Sequence, residues 1–108
     1  MKPVEQLHPD LPLYRVTVPT PFPVGPVNLY AIREPEPVLL DTGPATPNAL
    51  ENLAALLAQC GMDARRLGKI VLTHFHIDHV GIAVPLAKYS GAPIYANPVE
   101  AEIGRAHV

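Results

Sequence analysis

Apolar positions in this chain follow two periods in turn. Leu13-Tyr14-Arg15-Val16-Thr17-Val18 alternates and is rich in β-branched residues, which predicts a half-buried strand. Val27-Asn28-Leu29-Tyr30-Ala31-Ile32 predicts a second strand, and Val38-Leu39-Leu40 a short buried third one ending at Asp41. Glu34-Pro35-Glu36-Pro37 reads as a turn, so the three strands predict an antiparallel meander. Pro19, Pro21, Pro23 and Pro26, with Gly25 among them, forbid regular structure over 19–26. Phe22 and Val24 in that loop either fold over a site or pack a tight corner between strands.

The period then lengthens. Leu50, Leu53, Leu56 and Leu57, with Ala54, form an apolar stripe at helical spacing. Thr46 as N-cap and Pro47 at the first helical position predict where that helix starts, and Gly61 predicts where it closes. A short connection over 63–68, with one helical turn, leads to Lys69-Ile70-Val71-Leu72-Thr73, the clearest strand in the sequence. Strand, helix, strand is the βαβ pattern, in which ligands gather beyond the carboxyl ends of the strands. Residues 82–89 predict a further helix with Pro85 in its first turn, ended by Ser90-Gly91. Pro93 to Ala96 predicts a strand, and Asn97-Pro98 the start of a last helix. Residues 1–12, polar and punctuated by proline, predict an extended arm ahead of a domain over 13–108.

Composition narrows the classes. A chain of 108 residues with 48% hydrophobic and 17% charged residues is globular and holds one domain at most. Its net charge of −2 offers no broad basic surface, which counts against nucleic acid as a partner. The sequence has no apolar run long enough to span a bilayer and no visible signal peptide, so no membrane and a cytoplasmic location are expected. Cys60, the single cysteine, excludes a disulfide framework and reads as a small buried hydrophobe at the end of the first helix.

The chemistry concentrates in Thr73-His74-Phe75-His76-Ile77-Asp78-His79-Val80-Gly81. Three of the chain's five histidines fall here beside an aspartate. Imidazole nitrogen and carboxylate oxygen are the ligands of hydrolytic zinc or iron sites. In extended backbone, side chains two apart point the same way, so His74 and His76 can pinch one ion. A turn after them would send Asp78 and His79 in diverging directions, one of them towards a second ion. Asp41, at a strand end, is either a carboxylate behind the ligands that accepts the free N–H of an imidazole, or a turn-former bonding its own backbone. Thr42 and Gly43 shape that turn, Thr73 either orients a loop through its hydroxyl or ends its strand, the latter being favoured, and Gly81 is expected to permit close backbone packing. His8 is expected to face solvent, and His107 is not taken as a ligand.

His-x-His-x-Asp-His followed by x-Gly, as His74, His76, Asp78, His79 and Gly81, resembles the signature of the metallo-β-lactamase superfamily. Leu39-Leu40-Asp41-Thr42-Gly43 resembles that family's strand-end Asp-Thr-Gly. The resemblance runs from about Tyr14 to Val108. It implies an α+β fold, the N-terminal half of an αββα sandwich, with a mixed, mostly antiparallel sheet and helices on one face. It implies that His74 and His76 hold one metal, that Asp78 and His79 contribute to a second, and that Asp78 also orients or deprotonates the attacking water. Zinc is the implied metal, two ions in the complete domain, with iron or manganese as substitutes. The implied activity is hydrolysis of a thioester or related ester by a metal-activated hydroxide, as in glyoxalase II-like enzymes. Lactonases, β-lactamases and an iron sulfur dioxygenase share the motif, and a non-catalytic metal-binding or interaction module is the reading from another class. The family's second-half ligands have no counterpart after Gly81, so activity is expected to need a further half-domain. The sheet face that such a half would cover is expected to be open, or to be closed by a second copy in a homodimer.

Overall fold

The computed structural model describes residues 3–21, 23, 25–73 and 81–96. The expectations for Phe22, Val24, the segment 74–80, the helix from Asn97 and His107 lie outside the described residues. Among the described residues one sheet contains six strands in chain order: β1 (Val4–Gln6), β2 (Leu13–Val18), β3 (Val27–Ile32), β4 (Val38–Leu40), β5 (Lys69–Leu72) and β6 (Ile94–Ala96). The first three pairings, β1 to β4, are antiparallel, and β4–β5 and β5–β6 are parallel. The expected meander and βαβ unit are both present, and the fold is α+β with a mixed sheet.

Alternation decides which face is covered. Tyr14, Ala31, Leu39 and Ile70 lie side by side across β2, β3, β4 and β5, and each is buried. Helices α1 (Ala49–Gln59) and α2 (Ala83–Ser90) supply Leu53, Leu57 and Leu86 to the same core, so both sit on this face. The opposite face carries Arg15, Tyr30, Leu40, Val71 and Tyr95 in register, all of them half-buried or exposed. Each parallel crossover carries a helix to one side of the sheet, which leaves the second side for another layer.

Within residues 1–12, expected as an extended arm, β1 pairs along β2, with Val4 opposite Val16, and Glu5 meets Arg15 at 2.9 Å. The start of the first helix needs correction. Helix α1 starts at Ala49, and Thr46 does not cap it. Asn48, in the left-handed region at φ 61°, is the residue before the helix, and it makes no side-chain capping hydrogen bond. The Ala49 N–H donates instead to the Thr46 carbonyl at 3.0 Å, so a backbone turn satisfies a donor that the hydroxyl was expected to serve. The far end of α1 is as expected. Gly61, at φ 75°, donates to Ala58 while Met62 donates to Leu57, the paired bonds of a Schellman ending, with both Met62 and Leu57 buried. The single turn after it, Ala64–Arg66, is a 3-10 turn capped by Asp63. Among the described residues no helix is long and apolar enough to cross a membrane.

Candidate metal centre

The parallel half of the sheet fixes where chemistry can gather. Because β4 and β5 run the same way, with Leu40 beside Val71, Asp41 and Thr73 leave the sheet at one end. The Asp41 N–H donates to the Val71 carbonyl at 2.8 Å, which extends the ladder by one bond. The backbone then turns sharply. Asp41 takes φ 67° and Gly43 φ 88°, two left-handed residues within three positions. Aspartate tolerates that region better than most residues with a side chain, and glycine enters it freely.

Among the described residues this turn carries the two buried polar side chains. Asp41 is 5% exposed and Thr42 1%. The Asp41 carboxylate accepts the Thr73 N–H at 2.9 Å on Oδ1 and the Thr73 hydroxyl at 2.7 Å on Oδ2. Both bonds involve an ionised acceptor, and such bonds are the stronger kind. Thr73 therefore does more than end its strand: it is locked by backbone and side chain to a residue on the neighbouring strand. The bond expected between Asp41 and an imidazole falls on residues outside the described ones.

The segment after the motif returns to the same turn. The Ile82 N–H donates to the Gly43 carbonyl at 3.3 Å, just before α2 begins. Gly81 lies so close to the turn that a Cβ placed there would stand 2.3 Å from the Ala45 nitrogen. The close packing expected at Gly81 is thus present. Residues 73 and 81–82, the two ends of the histidine-bearing stretch, both rest on the 41–45 turn. Neither partner was legible in sequence spacing; an aspartate after an apolar run pointed to the first link, and a glycine after the histidines to the second.

Behind the turn, between it and α1, is a cavity of about 40 Å³ lined by Val18, Thr42, Gly43, Pro44, Asn52 and Leu53 among others. It has room for a water molecule or two and is far below the size of a ligand pocket. Larger hollows of about 510 and 390 Å³ surround Met62 and Asp63, at the opposite end of the sheet from Asp41. Asp63 there is held below the usual carboxylate range by hydrogen bonds from Arg65. Cys60 is buried as expected, and burial pushes its thiol up to about 11 against the opposing pull of Arg33. A thiol so raised is no nucleophile at neutral pH. Among the described residues no three His, Cys, Asp or Glu side chains are grouped as a metal site needs. His74, His76, Asp78 and His79 lie outside the described residues; as a donor set, three imidazoles and a carboxylate suit zinc or iron.

Comparison with known proteins converges on one family. The model of the metallo-beta-lactamase superfamily matches residues 22–108. The "probable metallo-hydrolase YqjP" of Bacillus subtilis (strain 168) is 39% identical over 67 residues, covering 62% of this chain and 21% of that protein. A solved metallo-beta-lactamase family protein of Thermus thermophilus is 36% identical, with a TM-score of 0.64 over 71% of this chain and 26% of that one. A beta-lactamase domain protein of Burkholderia ambifaria shares the fold at 18% identity, with a TM-score of 0.76 over 95% of this chain and 32% of its own. The chain therefore spans about a fifth to a third of the length of these relatives.

Proposed function

The chain belongs to the metallo-beta-lactamase superfamily, and from that membership we propose that it supplies the first part of a metal-dependent hydrolase site built on His74, His76, Asp78 and His79. The observation that supports this reading is the double mooring of the intervening segment: Thr73 on Asp41 at one end, Ile82 on Gly43 at the other. Thr73 and Asp41 lie at the carboxyl ends of two adjacent parallel strands, the place where open α/β sheets collect ligands.

In this reading His74 and His76 hold one ion, and Asp78 and His79 contribute to a second. When bound, the metal, zinc by preference, supplies Lewis acidity for making water acidic near neutral pH and for polarising a carbonyl. The chain's own residues do the rest. The imidazoles bind in their neutral form, and Asp78 takes the proton from the attacking water and passes it to the leaving group. Asp41 acts through Thr73, the residue next to His74, so its carboxylate sets the direction in which the first ligand leaves the strand. His79 beside Asp78 argues for a second ion without choosing the substrate, and a thioester or related small ester, in the manner of glyoxalase II-like enzymes, is the class proposed. The net charge of −2 argues against a phosphodiester backbone.

Elemental analysis of the full chain beside a His74→Ala/His76→Ala variant tests the ligand assignment. Metal is expected in the first and depleted in the second; equal content would sink it. The loaded protein is then offered a thioester, a lactone, a β-lactam and a phosphodiester. Fastest turnover of the thioester is expected. Preference for the lactam or lactone would replace the ester assignment, and no turnover by a folded, loaded sample would leave a non-catalytic metal-binding module.

A further inference from the structure

We propose that the 41–45 turn is a shared mooring that sets the spacing of the metal ligands, with Gly81 and Thr73 as the two positioning residues through which it acts. The proposal deepens the metal-site reading above and rests on it.

Gly81 is where the geometry is most demanding. Glycine is often required for its backbone angles, but not here: the left-handed glycines of the described chain are Gly25, Gly43, Gly61 and Gly91. What forbids a side chain at position 81 is contact. A Cβ would lie 2.3 Å from the Ala45 nitrogen and 2.8 Å from both the carbonyl carbon and the Cα of Pro44. All three are backbone atoms of a turn pinned by Asp41 and Gly43, so none can rotate aside. Gly68 offers the contrast. A Cβ there would meet Glu36 Cγ at 2.5 Å, but Glu36 is a half-exposed side chain that can swing away. Restoring ordinary van der Waals distance at position 81 means moving it off the turn by about 1 Å.

That displacement cannot stay local. Thr73 is fixed to Asp41 by two hydrogen bonds, and Ile82, next to Gly81, is fixed to Gly43. The residues that flank the ligand-bearing segment on either side are thus both fixed to one turn. His74 adjoins Thr73 in sequence and His79 precedes Ile82 by three residues. Shifting one mooring changes the span across which two ions' ligands must converge, whereas a change elsewhere in the sheet does not.

The test uses Gly81→Ala, Thr73→Val and, as a control at the opposite end of β5, Gly68→Ala, each in the full chain. Two quantities are read: zinc affinity of the folded fraction by competition with a chromophoric chelator, and amide exchange of Ile82 and Thr73 in metal-free protein. Gly81→Ala is expected to weaken zinc at least about tenfold and to speed exchange at Ile82, and Gly68→Ala to do neither. Thr73→Val, which removes one hydroxyl and adds no bulk, is expected to weaken zinc severalfold. A role confined to holding the fold together would lower the melting temperature without moving the zinc affinity of molecules that remain folded. Zinc binding within twofold of wild type in folded Gly81→Ala overturns the proposal; should that variant fail to fold, unchanged affinity in Thr73→Val overturns it. If the wild type itself takes no zinc, the metal-site reading falls, and the mooring is judged on exchange alone. Faster Ile82 exchange in Gly81→Ala then sustains the mooring, and unchanged exchange refutes it.

Discussion

Replacing Asp41 by asparagine, glycine and alanine separates two contributions that one side chain makes at once. Asp41 combines a left-handed backbone, φ 67°, with a buried carboxylate that accepts two hydrogen bonds from Thr73. A hydrogen bond to a charged group contributes roughly 1.5–3 kcal/mol, so losing both costs roughly 3–6 kcal/mol. Asparagine keeps an acceptor for the Thr73 N–H and places an amide where Thr73 Oγ1 can accept; it tolerates the left-handed region, and its expected cost is about 1 kcal/mol. Glycine loses both bonds but pays nothing for φ. Alanine loses both and also carries the left-handed penalty of roughly 1–2 kcal/mol. The expected order of stability is wild type, then asparagine, then glycine, then alanine. Urea denaturation of metal-free protein measures it, with an unchanged m-value confirming that the unfolded reference is the same. Alanine equal to glycine would refute the backbone argument. Asparagine as damaging as glycine would refute the hydrogen-bond argument.

Three further outcomes follow from other parts of the molecule. The Cys60 thiol is raised from 9.0 to about 11 by burial, so its protonated form is favoured by folding; the stability it contributes is fully present below pH 9 and is lost as pH rises through about 11. Denaturation midpoints followed across that window should fall more steeply for the wild type than for Cys60→Ala. Arg33 donates to the Tyr14 hydroxyl and, at 3.4 Å, to the Cys60 carbonyl at the end of α1, with its guanidinium 5.5 Å from the Tyr14 ring. Arg33→Met should cost about 1–2 kcal/mol in thermal melts, and Arg33→Lys should recover less than half, because lysine lacks the planar fork. Leu39, fully buried at the centre of the sheet, should cost roughly 2–5 kcal/mol as Leu39→Ala, while Tyr95→Ala on the open face should stay within about 0.5 kcal/mol; urea midpoints compare the two.

The strands that obey a simple period were legible in the sequence. Leu13–Val18 and Val27–Ile32 alternate because one face of each packs on the helices and the other does not, and the structure gives them those same bounds. Val4–Gln6 was not legible: three residues, two of them exposed and polar, become a strand only because β2 offers an edge. The start of α1 misled for a related reason. Thr46-Pro47 has the local chemistry of a helix start, but the chain is still completing the turn begun at Asp41, and helical geometry waits until Ala49. At the site, Asp41 stood out by its place after an apolar run, and Gly81 by its place after the histidines. Their partners did not: Thr73 lies 32 residues from Asp41, and no periodicity spans that distance. Pairings of this kind are set by which strand ends meet, not by local preference.

The strands of this sheet stand in space in the order in which they occur in the chain, β1 to β6. Every new strand therefore finds its partner already laid down, and none has to be wedged between two earlier ones. A polypeptide leaving the ribosome N-terminus first, at about 5–20 residues per second, can add strands to one advancing edge. The six-residue ladder of β2 on β3 is a natural first course, and the helical crossovers come only after it. The histidine-bearing segment is then delivered to an aspartate whose strand is already in place: the mooring precedes what it moors.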